Sequence, residues 1–151
     1  MSWSLQVSSG DLNFLSRGAG AEIVTGKTKT AQDLKNWMLE TMGNDPMHPD
    51  YGTVLDGGVL PSGSVVQSMI GGGTIHDVEQ EITRVIRSFM DAQGKRIDTD
   101  IAMYGKTTVS DSEIIQGIKS IESKKFGTKL VVRVNLLMRN NATVSMVQPI
   151  G

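Results

Sequence analysis

The chain has no cysteine, only two histidines, and almost no net charge: 15 Lys and Arg against 16 Asp and Glu. The missing thiols exclude disulfide staples, thiol nucleophiles and cysteine-based zinc sites together. A net charge of −1 gives no electrostatic drive toward nucleic acid or an anionic membrane. No segment approaches the roughly 20 apolar residues that span a bilayer. The opening "MSWSLQVSSGDLNF" has neither a basic start nor an apolar run, so it does not read as a signal peptide. At 151 residues the sequence fits one domain, large enough to bury a core without covalent or metal support.

Glycine is what the chain does have, 17 residues of it, unevenly placed. Between Gly43 and Gly73 it is mixed with Pro46, Pro49 and Pro61, which predicts a segment that is mostly loop. A structureless stretch that long is unusual inside a compact domain, so it is expected to lie over the surface or be shaped by partners. Before it, Leu5 to Phe14 and Glu22 to Thr25 read as short extended pieces separated by Gly10, Gly18 and Gly20. A helix is expected from Thr30 to Met42, with Leu34, Trp37, Met38 and Met42 on one face and Gly43-Asn44 at its end.

The clearest periodicity follows Thr74. Thr74 and Asp77 have the spacing of a capping box, and Ile75, Val78, Ile82, Val85, Ile86 and Phe89 form one helical stripe. At ~1.5–3 kcal/mol per buried large side chain, that stripe contributes about 10 kcal/mol before entropy is subtracted. Beyond it, Ile97, Thr99, Ile101 and Met103 alternate as in a strand, and "DSEIIQGIKSIES" reads as a short helix capped by Asp111 or Ser112. "TKLVVRVNLLMR" predicts a strand with Leu130, Val132, Val134, Leu136 and Met138 on one face. Asn140-Asn141 then predicts a turn into a returning strand, "ATVSMVQPI", with Pro149 on a sheet edge. The expected class is α+β: a small three-stranded sheet packed with two to three helices, plus an N-terminal strand-turn-helix arm. The parts divide as 1-74 (arm, helix and Gly/Pro-rich loop) and 75-151 (α+β core), within one structural domain.

Several stretches suggest chemistry. Gly26-Lys27-Thr28 ends like a phosphate-binding loop, but Ala21 stands where the first glycine belongs, so a polar turn into a helix is the better reading. Gly71-Gly72-Gly73-Thr74 before a helix suits an anion, yet no Lys or Arg is nearby in sequence, and a flexible joint is favoured. Asp45, His48 and Asp50, or His76, Asp77 and Glu79, lack an established metal-ligand spacing. Glu40 and Asp50 are the carboxylates available to a glycosidase, with nothing to fix their separation. No catalytic residue, metal or cofactor is expected, and a binding or assembly role is favoured over an enzyme.

Four short motifs occur in order: Val24-Thr25-Gly26, Ala31-Gln32-Asp33-Leu34, Leu39-Glu40-Thr41-Met42-Gly43 and Pro49-Asp50-Tyr51-Gly52-Thr53. Together they resemble the sheath-initiator, or lysozyme-like baseplate wedge, proteins of contractile phage tails, with relatives in type VI secretion systems and R-type pyocins. The resemblance marks Gln32, Pro49, Asp50, Tyr51 and Gly52 as the N-terminal motif. It implies a virion protein, assembled in the host cytoplasm and present as six copies per baseplate. Its partners would be the tail sheath protein, baseplate wedge subunits and tail tube proteins, with no nucleic acid or membrane. Where the family carries a Glu-Pro-Arg-hydrophobic motif that docks on the wedge core, this chain reads Gly94-Lys95-Arg96-Ile97. The arginine stays and the acid and proline are lost, so Gln93, Lys95, Arg96 and Ile97 are the expected docking residues. A handshake-like C-terminal sheet is implied, with Val144, Met146 and Val147 on the edge strand that templates sheath by strand addition. Lys119, Lys124, Lys125, Lys129, Arg133 and Arg139 would face acidic partner surfaces. The alternative role implied by the family is a tail-associated peptidoglycan hydrolase.

Overall fold

A computed structural model describes residues 3–5, 7–8, 11–12 and 23–151. Strands β1 (Trp3–Leu5) and β4 (Ile23–Thr25) pair antiparallel, and β2 (Val7–Ser8) pairs with β3 (Asp11–Leu12). Strands β2, β3 and β4 fall within the extended pieces expected at the N-terminus, whereas β1 begins ahead of them and shares only Leu5; Gly10, Phe14, Gly18, Gly20 and Glu22 lie outside the described residues.

Helix α1 runs Gly26–Leu39, starting four residues before the expected Thr30. Gly26 opens it at φ +62, a conformation that side chains rarely adopt. Thr30, Ala31, Leu34 and Met38 are buried at the i, i+4 spacing of one helix face. The helix stops at Leu39 because Glu40 turns extended, with ψ 136. Met42, expected on the helix, is buried by different means: its N–H donates to Thr53 O at 2.9 Å, and Thr53 N donates to Glu40 O at 2.8 Å. The glycine- and proline-rich segment is more ordered than its composition predicts. It contains the hairpin β5 (Asp56–Val59) and β6 (Val65–Ser68) and the single turn α2 (Met69–Gly72), and it buries Val54, Leu55 and Ile70.

Helix α3 spans Ile75–Tyr104, 30 residues and so about 45 Å long. Its capping box is complete: Asp77 N donates to Thr74 Oγ1, and Thr74 N donates to Asp77 Oδ2. Val78, Ile82, Val85, Ile86 and Phe89 are buried as expected, whereas Ile75 is exposed in the first turn. The strand expected over 97–103 is instead the last part of α3. Half-buried positions there fall at Gln93, Ile97 and Asp100, a helical spacing, and Gly105 closes the helix in αL. With no proline to stop it, and Gly94 tolerated inside it, each further residue adds one hydrogen bond to an existing helix.

The sheet has order β7-β8-β9, with β7 at Ile115–Phe126, β8 at Lys129–Met138 and β9 at Thr143–Ile150. It has the expected three strands, but the third is β7, where a short helix capped by Asp111 or Ser112 was expected. The error has a definite cause. Register shifts between Ile115 and Gly117, and again between Ile118 and Ser120, each insert one extra residue opposite β8. Ile115, Ile118 and Ile121 therefore pair with Met138, Leu136 and Val134 on a single face, although they are spaced three apart. Two bulges thus imitate a helical period. Strand β8 matches its sequence pattern fully: Leu130, Val132, Val134, Leu136 and Met138 are all 0 % exposed. Asn141 makes the turn at φ 66, and Pro149 sits on the edge strand β9. The core joins these residues to Leu34 and Met38 of α1, Leu55, Ile70 and the stripe of α3.

The Asp77 carboxyl is held below its usual value by the Thr74 backbone N–H and then by the Thr74 hydroxyl. Because the folded state lowers this pKa, the contribution is present above about pH 4 and is lost as pH falls through the depressed value. Thermal melts of wild type and Asp77→Asn are expected to differ at neutral pH and to converge as pH falls through the depressed Asp77 value. A constant gap would contradict the capping role.

Candidate interface edges

The outer strands of the sheet are each bordered by a helix. Beside β9, a cleft of about 320 Å³ is lined by Thr28, Ala31, Gln32 and Lys35 of α1 and by Val144, Ser145 and Met146. Beside β7, a wider cleft of about 670 Å³ lies between Thr83, Arg84, Arg87 and Asp91 of α3 and half-buried Ile118 and Ile121. The register fixes which β9 groups face outward. Proline lacks an N–H and stands opposite Val131 without breaking the ladder, so position 149 belongs to a pair whose N–H points away from β8. Ser145 and Val147 share that parity, and their N–H groups also point outward. Among the three expected edge residues, Val147 is exposed and Val144 half-buried, but Met146 belongs to the core. An added strand would therefore meet the β9 backbone, with Val147 rather than Met146 beneath it.

Of the N-terminal motif, Gly52 is buried and Gln32 and Tyr51 are half-buried. Gln32 donates to Leu5 O at 2.7 Å and to Ser4 Oγ, tying the first strand to α1. Tyr51 lies 4.8 Å from Trp37, which meets Phe89 edge-on at 5.3 Å. Partial burial, followed by the charges of Glu40, Asp33 and Asp45, raises the Tyr51 pKa. Gly52, at φ +96, passes so close to the end of α1 that an added Cβ would stand 2.6 Å from Glu40 O. Its carbonyl accepts from Arg84 Nη2 at 3.1 Å. Arg84 in turn grips buried Glu81 with Nε and Nη2, at 2.8 and 2.7 Å, and Glu81 Oε1 accepts from Val54 N. This Glu81–Arg84 clamp has no sequence signature beyond an i, i+3 charge pair on α3. Pro49 and Asp50 are exposed.

The expected docking residues lie on the second half of α3, not ahead of a strand. Gln93 is occupied internally: its Nε2 donates to Glu113 O at 2.8 Å, and its Oε1 accepts from Ile115 N. Lys95 and Arg96 are exposed, and Ile97 is half-buried. They continue toward Ile101, Met103 and Tyr104, which are exposed at the end of the helix. Two of the lysines expected to meet acidic partners bond within the chain, Lys125 half-buried and Lys119 at the surface. Lys125 Nζ donates to the Met69 and Gly73 carbonyls, and Lys119 Nζ donates to Thr143 Oγ1. The Gly71–Gly73 turn thus presents carbonyls to a cation, the opposite of an anion site.

Lys27 of the phosphate-loop tripeptide reaches the Thr143 carbonyl at 3.4 Å, and Gly26 belongs to the first turn of α1. Asp45 and His48 pair at 2.7 Å, which lowers the Asp45 pKa. No group of three or more metal-ligating side chains comes together among the described residues. Glu40 and Asp50 line neither cleft beside the sheet. No helix among the described residues is long and apolar enough to cross a membrane. No family model, curated protein or solved structure matches this chain.

Proposed function

We propose that the protein is a structural component of a contractile-tail baseplate, joining wedge and tube to sheath and templating sheath polymerisation by strand addition. The observation that carries this reading is the open β9 edge, with outward N–H groups at Ser145 and Val147 beside the α1 cleft. An unpaired edge attracts any passing strand, and proteins normally blunt it with charge, proline or short length. Here the edge strand has eight residues without a charge, and its one proline, Pro149, stands next to its end, leaving Thr143 to Gln148 without a blunting residue. Main-chain hydrogen bonds would supply affinity for an incoming arm, and the alternating side chains would supply register. The contacts of Gln32 with the first strand, of Tyr51 with Trp37 and of Gly52 with the end of α1 support a motif that shapes the arm. The exposed Lys95, Arg96 and apolar end of α3 are the surface assigned to the wedge. No observation favours the hydrolase alternative.

Val147→Pro tests the template. It removes an N–H that β8 does not use, so the purified variant is expected to melt within a few degrees of wild type. Tails assembled with it are expected to have complete baseplates and bare tubes, scored by negative-stain microscopy. Sheathed tails at the wild-type frequency would rule out β9 as the template.

A further inference from the structure

Strand β7 is the other outer strand of the sheet, and only part of it is regular. Its register shifts lie between Ile115 and Gly117 and between Ile118 and Ser120, so pairing with β8 runs unbroken from Ser120 to Phe126. The direction of its hydrogen bonds follows from Pro149. Because Pro149 stands opposite Val131 without an N–H, Val131, Arg133 and Asn135 turn their backbone groups toward β7, where they meet Lys124, Glu122 and Ser120. Ile121, Ser123 and Lys125 therefore point N–H and C=O away from the sheet. Among the described residues no backbone group bonds to them there. The outward groups form a short strand template centred on Ser123.

The side chains along it select what fits. Glu122 and Lys124 are exposed, share one face of the sheet and carry opposite charge. Consider an antiparallel strand from a second copy, related by a two-fold axis through Ser123. Hydrogen bonds would be exchanged between the two Ser123 residues, and between Ile121 of each copy and Lys125 of the other. Glu122 of each copy then lies directly opposite Lys124 of the other, in the non-hydrogen-bonded pairs where side chains approach most closely. A slip of one residue would set inward backbone groups against outward ones. A slip of two would set Glu122 against Glu122, or Lys124 against Lys124, and like charges directly opposite are destabilising. Charge and hydrogen bonding thus agree on one register. Phe126, 61 % exposed, would lie against Ser120 of the second copy. The Lys125 ammonium stays clear of the contact, held by the Met69 and Gly73 carbonyls. The cleft between β7 and α3 leaves room for incoming side chains on the core face. We infer that β7 is a homodimerisation edge, joining the three-stranded sheets of two copies through a self-complementary contact. The contact leaves β9 free and does not depend on the baseplate reading.

Sedimentation equilibrium of the purified chain is expected to show monomer and dimer in exchange. Glu122→Lys and Lys124→Glu each place like charges at both pairs, so each variant alone is expected to dimerise at least about tenfold more weakly. Mixed in equal amounts, the two variants restore both opposite-charge pairs, and a heterodimer as tight as the wild-type homodimer is expected. Val147→Pro, on the other edge, should leave the dimer constant unchanged. The inference is overturned by a wild-type chain that stays monomeric at ~1 mM, by a single variant that dimerises as tightly as wild type, or by a mixture that stays monomeric. Loss of the dimer in Val147→Pro would also overturn it, by moving the contact to β9.

Discussion

Ile82→Asp is expected to abolish folding: the purified chain should be insoluble, or soluble without a cooperative melt. Ile82 is 0 % exposed at the centre of the α3 stripe, packed in one core with residues of α1, β7 and β8. The substitution forfeits about 1.5–3 kcal/mol of apolar burial. It also places a carboxylate where no cation stands among the core residues, at a further several kcal/mol unless the group takes up a proton. The sum reaches the lower end of the ~5–15 kcal/mol that holds a domain of this size together. Asp98→Ala, at an exposed position on the same helix, serves as the control and is expected to change stability by no more than about 0.5 kcal/mol. A cooperative melt for Ile82→Asp near the wild-type temperature would show that this stripe is not the core.

Gly52→Ala is expected to cost about 2–4 kcal/mol, a melting temperature lower by roughly 5–15 °C. Two effects act together at this position. The backbone is at φ +96, outside the range that alanine adopts readily, and the new Cβ would meet backbone atoms of Glu40 and Met42 at 2.6 to 3.1 Å. Those neighbours are the bridge joining the end of α1 to Thr53, so neither can yield as a flexible side chain would. Displacing Gly52 also pulls its carbonyl from Arg84 and loosens the clamp on Glu81 and Val54. Arg84→Ala, which removes the clamp without the steric clash, should reproduce part of the loss. An unchanged melt for Gly52→Ala would contradict the close approach.

What could be read from the residues followed how simply each element is buried. Strand β8 was legible to the residue because a central strand with one covered face writes a strict alternation. The buried part of α3 was legible for the matching reason, and its capping box marked the start. Strand β7 was not, since two bulges rewrote its period as three. The end of α3 was misread because exposure removes the selection for a stripe, leaving Ile97, Thr99, Ile101 and Met103 free to alternate by chance. Around the candidate interface, sequence pointed to β9 but could not say that Met146 turns inward, nor that β7 offers a second open edge.

The proposed role of β9 as a template inside a tail is tested most directly by a reconstruction of an intact contractile particle containing this chain. The expected density shows six copies at the junction of sheath and baseplate, each with a foreign strand hydrogen-bonded along Thr143–Ile150. A chain absent from the tail, or present with its β9 edge open to solvent next to assembled sheath, would contradict it.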